Sequence, residues 1–263
     1  ICHAKTTNDI LNAKKNNKVA FIFGFQNSAP IANDIFLIEK FFDRGLRFMQ
    51  LTYNNQTPLA GGCFENKDSG VSRFGKAVIE EMNRLGMIID LSHAGQKSSL
   101  DAIELSNKPV AISHANPSFF HKSLRNIDNE VLIKLVKKNG FIGLSLYPYH
   151  LKNLGNCTIE DYCSMVKQLI NLIGTDNIGI GSDLCLNWPD NVVMWMRNGK
   201  WTKQTDYGES KDKNIKWPKQ PEWYEKSSDI NNIFEAMCTN GINEKTAIKI
   251  IGMNWLNFME NHF

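Results

Sequence analysis

Residues 85–116, LGMIIDLSHAGQKSSLDAIELSNKPVAISHAN, contain the pattern that decides the fold. This stretch contains two short apolar runs, residues 87–91 and 110–113. Each run leads into a Ser-His pair, and a helix-like segment separates the two runs. Parallel strands joined by a helix have their C-terminal ends at the same edge of a sheet. We therefore expect His93 and His114 to face one another across neighbouring strand ends, the arrangement of a metal site on a β/α barrel.

The same alternation of strand and helix extends outward in both directions. We predict six strands, which end at Phe25, Thr52, Leu91, Ser113, Leu146 and Gly181. The 3.6-residue spacing of apolar residues predicts helices over residues 33–44, 73–85, 98–105, 128–138, 158–173, 227–239 and 243–251. The repeated unit is thus a strand followed by a helix, which is typical of an α/β protein with a parallel sheet.

Two architectures fit this repeat, a (β/α)8 barrel and an open doubly wound sheet. Polar candidates for ligands follow nearly every strand, and functional groups collect at the C-terminal face of a barrel. We therefore predict an α/β fold of the (β/α)8 TIM-barrel type that lacks its first two strands in this chain. One partial domain spans residues 1–263, and the tryptophan-rich residues 184–226 form a long loop, either a lid or specificity loop or a satellite core.

Composition and charge exclude several classes of function. A chain of 263 residues with 42% apolar and 22% charged residues is ordinary for one globular domain, and a net charge of +3 argues against nucleic acid as a partner. No apolar run reaches the roughly 18 residues of a membrane span, and the N-terminus is too polar for a secretory signal. The six cysteines contain no C-x-x-C pair, which favours free thiols in a reducing compartment, and we expect the cytoplasm.

The predicted strand ends carry the candidate site residues, namely Gln26, Tyr53, His93, His114 and Asp183, with Arg125 a little beyond. Two neutral imidazoles and a carboxylate suit zinc, and a coordination position left for water suits catalysis. Simpler interpretations are hydrogen-bonded loop histidines, a helix-capping Asp183 and a surface Arg125. The remaining histidines lie in polar loops or near the termini and are expected to be solvated: His3, His121, His150 and His262.

At these residues the sequence resembles the membrane (renal) dipeptidase family, zinc peptidases of the amidohydrolase-like barrel group. The matching segments occur in the same order through nearly the whole chain: LRFMQLTYNNQTPLAGG, GVSRFGKAVIEEMNRLGMIIDLSHAG, PVAISHANP, LRNIDNEVL, DNIGIGSDL and NWLNF. The resemblance implies a (β/α)8 barrel that hydrolyses the peptide bond of dipeptides at a two-zinc site.

The resemblance also implies a role for each matching residue. By position, His93 and His114 match the two histidines that hold one zinc ion. Arg125 matches the arginine that binds the C-terminal carboxylate of the substrate, and Asp183 matches the aspartate that handles protons at the attacking water. A bidentate guanidinium suits a free carboxylate, which explains exopeptidase specificity.

Three departures from the family pattern concern the second zinc and the substrate. No His-x-Asp pair occurs upstream of Val19, although this pair binds the other zinc in the family. The bridging glutamate falls on Gln26, a neutral amide whose carbonyl oxygen is still a candidate ligand. The substrate-orienting histidine falls on Tyr53, which donates a hydrogen bond but cannot become an imidazolium. A chain that lacks the N-terminal part of the family's domain would explain both the missing pair and the missing strands.

Three functions are consistent with these residues. The first is a dipeptidase that works with one zinc ion, with Asp183 as the base. The second is a catalytically impaired or truncated relative that acts as a binding protein, and the third is a hydrolase of another small amide. Residues 19–25 would form an exposed apolar edge strand, so we expect the isolated chain to form homo-oligomers or to be poorly soluble.

Overall fold

Parallel strands alternate with helices in the computed structural model of this chain, which describes residues 1–199 and 215–263. The strands are β1 (Cys2–His3), β2 (Ala20–Phe21), β3 (Phe23–Phe25), β4 (Leu46–Gln50), β5 (Ile88–Asp90), β6 (Ala111–Ala115), β7 (Phe141–Leu144) and β8 (Ile178–Ile180). The helices are α1 (Thr7–Lys15), α2 (Phe36–Asp43), α3 (Arg73–Leu85), α4 (Gln96–Leu105), α5 (Asn129–Lys137), α6 (Ile159–Ile173), α7 (Asp190–Asn198), α8 (Ile230–Thr239), α9 (Glu244–Ile248) and α10 (Asn254–Glu260). No described helix is both long enough and apolar enough to cross a bilayer.

The order of the strands distinguishes between the two predicted architectures. Strands β3 to β8 form one parallel sheet in which each strand pairs with the next in the chain, while β1 and β2 pair separately. A doubly wound sheet reverses its order at a switch point, whereas sequential order is that of a barrel. Within residues 1–199 and 215–263, β3 and β8 are the edges of the six-stranded sheet and are not paired with each other. The predicted barrel-type fold with six strands is confirmed.

Helix α3 illustrates how local sequence signals produce this architecture. The Ser72 hydroxyl accepts a hydrogen bond from the Gly75 N–H at 2.9 Å, which caps the N-terminus of the helix. Gly86 ends the helix with a φ of 82°, a conformation that costs little only for glycine. Between these ends, Ile79 and Met82 are fully buried against the core. The predicted bounds 73–85 are confirmed.

The core lies between the sheet and its surrounding helices. All four residues of β7 are buried, as expected for a parallel strand that is covered on both faces. Helix α10 covers one part of the sheet, because Trp255 contacts Phe141 with ring centroids 4.2 Å apart and donates a hydrogen bond to the Ile180 carbonyl at 2.9 Å. The C-terminal segment is thereby packed against the sheet.

The structure differs from the predicted elements in three places. Strands β1 and β2 have only two residues each, too few for a sequence pattern to reveal. Helix α2 begins later than predicted, because Pro30 lies in a 3-10 turn, Ala29–Ile31, and Ala32 follows it with a φ of 45°. The predicted loop 184–226 contains helix α7, while Trp201, which belongs to the same prediction, lies outside the described residues.

Candidate metal centre and active site

The ends of β5 and β6 bring two histidines face to face. His93 follows β5, His114 lies in β6, and both side chains are buried. Their Nε2 atoms are 3.0 Å apart. Because β5 and β6 are adjacent and parallel, this contact is a direct result of the strand–helix–strand connection.

The amide of Asn54 fixes the protonation of His93. The Asn54 Nδ2 donates to the Met196 carbonyl at 2.9 Å, so the other end of the amide, Oδ1, faces His93 Nδ1 at 2.7 Å. An amide oxygen only accepts, and therefore His93 Nδ1 carries the proton. The neutral ring then has its lone pair on Nε2, the atom that faces His114.

A buried carboxylate fixes His114 in the same way. Asp90 accepts hydrogen bonds from the Ser92 and Ser113 hydroxyls, each at 2.6 Å. Since the Ser113 hydroxyl donates its proton to Asp90, its oxygen accepts from His114 Nδ1 at 2.7 Å. The lone pair of His114 is then also on Nε2. Asp90 thereby orients His114 through an intervening serine, as outer-shell groups do at metal sites.

Two imidazole lone pairs that face each other repel unless a positively charged species lies between or beside them. Burial lowers the pKa of both histidines, and the Arg125 guanidinium lowers the pKa of His93 further. Neutral imidazoles of this kind are metal ligands. The pair thus fits two nitrogen ligands of a transition metal such as zinc. Among the described residues, no cluster of three or more His, Cys, Asp and Glu side chains suits a metal, so water or further groups would complete the coordination.

Arg125 lies directly beside the histidine pair. Its Nη2 donates to the His114 carbonyl at 3.1 Å and lies 3.5 Å from His93 Nε2, while its Nη1 donates to the Ser92 carbonyl. The side chain is buried at 4% exposure, so it is not the surface charge of the simpler interpretation. These carbonyl contacts hold a full positive charge within the site.

Asp183 and Tyr53 line the same small cavity as His93 and Arg125. Asp183 has a φ of 52°, a rare conformation for a residue other than glycine and one that often occurs at functional sites. Tyr53 stacks on His93 with ring centroids 4.1 Å apart. Burial, and next the charge of Asp183, raise the pKa of Tyr53, which keeps its hydroxyl protonated as a donor.

Gln26 is apart from this group. It is exposed at the end of β3 and lines a second cavity of about 330 Å³ together with His114 and Asp90. His114 therefore contacts the cavity that contains Gln26, whereas His93, Arg125, Asp183 and Tyr53 line the other one. The role of Gln26 as a metal ligand stays a prediction.

The prediction that His150 is solvated was wrong. The side chain is 3% exposed, and it lines the cavity of Arg125 and Asp183. Its Nδ1 lies 2.8 Å from the Ser145 hydroxyl, which also accepts a hydrogen bond from the Tyr147 N–H. The signal missed in the sequence was its position in the loop after a strand end.

His262 was also predicted to be solvated and is instead buried. It is 9% exposed, and its Nε2 donates to the Pro109 carbonyl at 2.8 Å. Burial lowers the pKa of this imidazole. His3 and His121 are half-buried, and His3 stacks on Phe21. Proximity to a chain terminus was therefore a poor indicator of exposure.

The tryptophans of residues 184–226 have different environments. Trp195 of α7 lies parallel to Tyr53, with ring centroids 5.9 Å apart, and so covers the candidate site. Trp223 instead donates to the Cys157 carbonyl at 2.8 Å and packs beside Tyr162 in the core. The lid interpretation therefore suits α7, and the satellite-core interpretation suits the segment around Trp223.

A family comparison agrees with this geometry. A model of the membrane dipeptidase family (peptidase family M19) matches residues 2–189. This chain belongs to the membrane dipeptidase family. A dipeptidase of Claviceps purpurea is 27% identical over 254 residues, which are 95% of this chain and 53% of that protein. An uncharacterized dipeptidase of Schizosaccharomyces pombe is 30% identical over 66% of this chain and 44% of its own length. The chain spans about half the length of the curated dipeptidases that it matches.

Solved structures show the same fold. An amidohydrolase from Pseudomonas aeruginosa has a TM-score of 0.90 and 31% identity, and the match covers 99% of this chain and 78% of that chain. A metallopeptidase from Rhodobacter sphaeroides, solved with a phosphinate mimic of the dipeptide L-Ala-D-Ala, has a TM-score of 0.81 at 20% identity over 100% of this chain and 69% of that chain. The second likeness shows the fold alone. Membership of a metallopeptidase family implies a metal cofactor for dipeptidases of this group.

Proposed function

We propose that this chain carries out metal-dependent hydrolysis of dipeptides, with zinc as the metal. One observation carries the proposal. The Nε2 atoms of His93 and His114 are 3.0 Å apart with their lone pairs facing each other, and Arg125 lies beside them. The family membership and the dipeptidase relatives favour an enzyme over a binding protein. The phosphinate dipeptide mimic bound by the Rhodobacter sphaeroides metallopeptidase is consistent with a dipeptide as the substrate here.

His93 and His114 would hold the zinc ion through their Nε2 atoms. When bound, zinc supplies a Lewis acid that acidifies water and polarises the scissile carbonyl. Arg125 binds the free C-terminal carboxylate, which restricts cleavage to the end of a peptide. Tyr53, held neutral by its raised pKa, donates a hydrogen bond in the same cavity, which the His150 imidazole also lines.

Asp183 moves the proton in this proposal. Its carboxylate accepts a proton from the attacking water as the new C–O bond forms. The proton then passes to the leaving nitrogen as the C–N bond of the amide breaks, so that an amine and a carboxylate result. Asp183 lines the same small cavity as Arg125 and His93, which supports this role.

The test of the proposal is the Asp183→Asn variant. Asparagine tolerates the positive φ at this position, so the fold should be preserved while the base is lost. We expect kcat/KM for a neutral dipeptide such as Ala-Gln to fall by about 10²- to 10⁴-fold, with zinc content per chain unchanged. The matched control is Asp128→Asn, an exposed position whose side chain forms no capping bond. Undiminished hydrolysis by Asp183→Asn would remove this residue from the mechanism.

We also propose a reducing compartment, such as the cytoplasm, as the location. All six cysteines are free in the structure. Burial raises the pKa of the Cys63 thiol to about 11, which keeps it protonated and unreactive. Fractionation of the tagged full-length protein, with alkylation of free thiols before lysis, tests this proposal.

A further inference from the structure

Arg197 places a second guanidinium at the candidate site. It lies in α7 and lines the small cavity that contains Arg125, Asp183 and His93. It also lines an adjoining cavity of about 520 Å³, which begins where α7 passes over Tyr53 and Asn54. Arg197 therefore stands at the boundary between the reaction centre and the larger cavity.

Among the residues that the structure describes, aromatic rings rather than a carboxylate surround this guanidinium. Its central carbon lies 4.3 Å from the ring centroid of Tyr149 and 5.7 Å from that of Phe64. Among the ion pairs of the described residues, none includes Arg197. Stacking on aromatic faces leaves the N–H edge of a guanidinium available for a planar acceptor such as a carboxylate.

The charges that line the site leave an excess of positive charge. Within residues 1–199 and 215–263, two arginines and one aspartate line the small cavity, which is a formal charge of +1 with the histidines neutral. Burial and the two guanidiniums lower the pKa of His150, so this imidazole adds no charge. A dipeptide with neutral side chains is a zwitterion of zero net charge, whereas an acidic side chain makes it an anion that would balance the site.

No described carboxylate lines the larger cavity, so none would compete with a ligand for Arg197. The described residues that line it are mainly amides, hydroxyls and apolar groups, and Arg197 is the one charged side chain among them. A carboxylate in this cavity would therefore meet one cation and no anion. Asn54 and Gln56, which also line the cavity, are able to donate further hydrogen bonds to such a group.

We propose that Arg197 determines substrate specificity by binding a side-chain carboxylate, so that the preferred substrates are dipeptides that contain glutamate or aspartate. Arg125 takes the C-terminal carboxylate and Arg197 the acidic side chain. The inference rests on the proposed function for its substrate, a dipeptide, and adds the chemical class of the side chain.

The experiment compares isosteric ligands that differ only in charge. Analogues of Ala-Glu and Ala-Gln, and of Glu-Ala and Gln-Ala, in which the peptide bond is reduced to a methyleneamine, cannot be hydrolysed. Calorimetric titration of the purified chain should show about tenfold tighter binding of the glutamate analogue in at least one pair. In Arg197→Gln the ratio of the two affinities should fall to about one, and Arg197→Lys should keep part of the preference.

The matched control is Arg73→Gln, which removes the same charge from an exposed position at the start of α3 that lines none of these cavities. It should retain the wild-type preference. Equal binding of the glutamate and glutamine analogues by the wild-type chain overturns the inference, as does a preference that survives in Arg197→Gln. Hydrolysis of Ala-Gln is measured separately, and its absence counts against the proposed function rather than against the role of Arg197.

Discussion

The orientation of one amide determines which nitrogen of His93 is available to a metal. Asn54 presents its oxygen to Nδ1 because its nitrogen is held by the Met196 carbonyl. The φ of Asn54, 59°, is unusual for a residue with a side chain and is best tolerated by asparagine. Both the backbone conformation and the amide therefore favour asparagine at this position. The first prediction follows from this contact.

Replacing Asn54 with alanine should weaken zinc binding about 10- to 100-fold, because His93 loses the acceptor that keeps its lone pair on Nε2. Competition with a chromophoric chelator measures the affinity, and ¹⁵N chemical shifts of the His93 ring report the tautomer. The control is Asn153→Ala, which has the same φ of 59° but lies exposed and lines neither the cavity of His93 nor that of His114. Equal zinc affinities of the two variants would show that backbone strain, and not the amide, accounts for any loss.

At the scale of elements, helix ends fix the packing of neighbouring segments. Gly86 ends α3 with a φ of 82°, and a Cβ at this position would lie 2.6 Å from the His262 carbonyl oxygen. Gly241, which follows α8, has a φ of 86°, with nothing within 4 Å of a Cβ. The two glycines share their backbone conformation and differ in their surroundings.

Gly241→Ala should lower the free energy of unfolding by about 1 kcal/mol, which is the cost of positive φ for alanine. Gly86→Ala should lower it by about 1 to 3 kcal/mol more, because the added methyl group also displaces the C-terminal residues. Urea denaturation of both variants measures the difference. Equal losses would mean that the C-terminal segment moves aside without cost.

The accuracy of the sequence-based prediction at this scale depended on how local the signals are. Helix α3 was predicted with its correct bounds because its cap, its apolar spacing and its terminal glycine all lie within the segment. Helix α7 was missed because Trp195 and Arg197 face the site and neighbouring loops, so that its apolar residues lack the spacing of a core helix. Its contacts with residues distant in the sequence, such as the Asn54 side chain, are not visible in a local pattern.

For the site, the sequence indicated which strand ends converge but not which loops return to them. His93, His114, Arg125 and Asp183 were found because parallel strands have a common C-terminal edge. His150 was missed because a 3-10 turn, Pro148–His150, carries it back into the cavity. The hydrogen bonds of Asn54 and Asp90 depend on side-chain orientation, which a one-dimensional pattern does not contain.

For the whole molecule, the buried neutral histidines should reduce stability in acid. Burial lowers the pKa of His93, His114 and His150 below the ordinary value of 6.5. Below this value the unfolded chain binds more protons than the folded chain, so the free energy of unfolding falls as the pH decreases through 6.5. Each histidine contributes a slope of up to about 1.4 kcal/mol per pH unit until its own folded pKa is reached.

Urea denaturation of metal-free protein at pH 7.5 and pH 5.5 measures this effect, and His150→Gln should reduce the difference between the two pH values. The same substitution at His121, which is half-buried and lies outside the cavity, serves as the control. A stability that does not change between the two pH values would contradict the burial of neutral imidazoles.

The open sheet leads to a prediction about association. Strand β3 is an edge of the six-stranded sheet, and Phe23 within it is 50% exposed. An exposed apolar edge promotes strand pairing between chains, so we expect homo-oligomers at micromolar concentrations in light scattering coupled to size exclusion. Phe23→Lys should shift the chain toward the monomer, whereas Phe36→Lys, at a 74% exposed position on α2, should not. A strictly monomeric wild-type chain would refute this expectation.

The hydrogen bond between Asn54 and Met196 connects the cover of the site with its ligand chemistry. An amide side chain has a hydrogen-bond donor at one end and an acceptor at the other. The Met196 carbonyl of α7 binds the donor end of Asn54, so the acceptor end faces His93. If α7 moved away, the amide would lose this acceptor, and only the weak contact of Oδ1 with the Cys63 thiol at 3.6 Å would oppose a half-turn that offers hydrogens to Nδ1. The ring proton then belongs on Nε2, where a metal ion must compete for it. The position of α7 and the tautomer of His93 are therefore coupled.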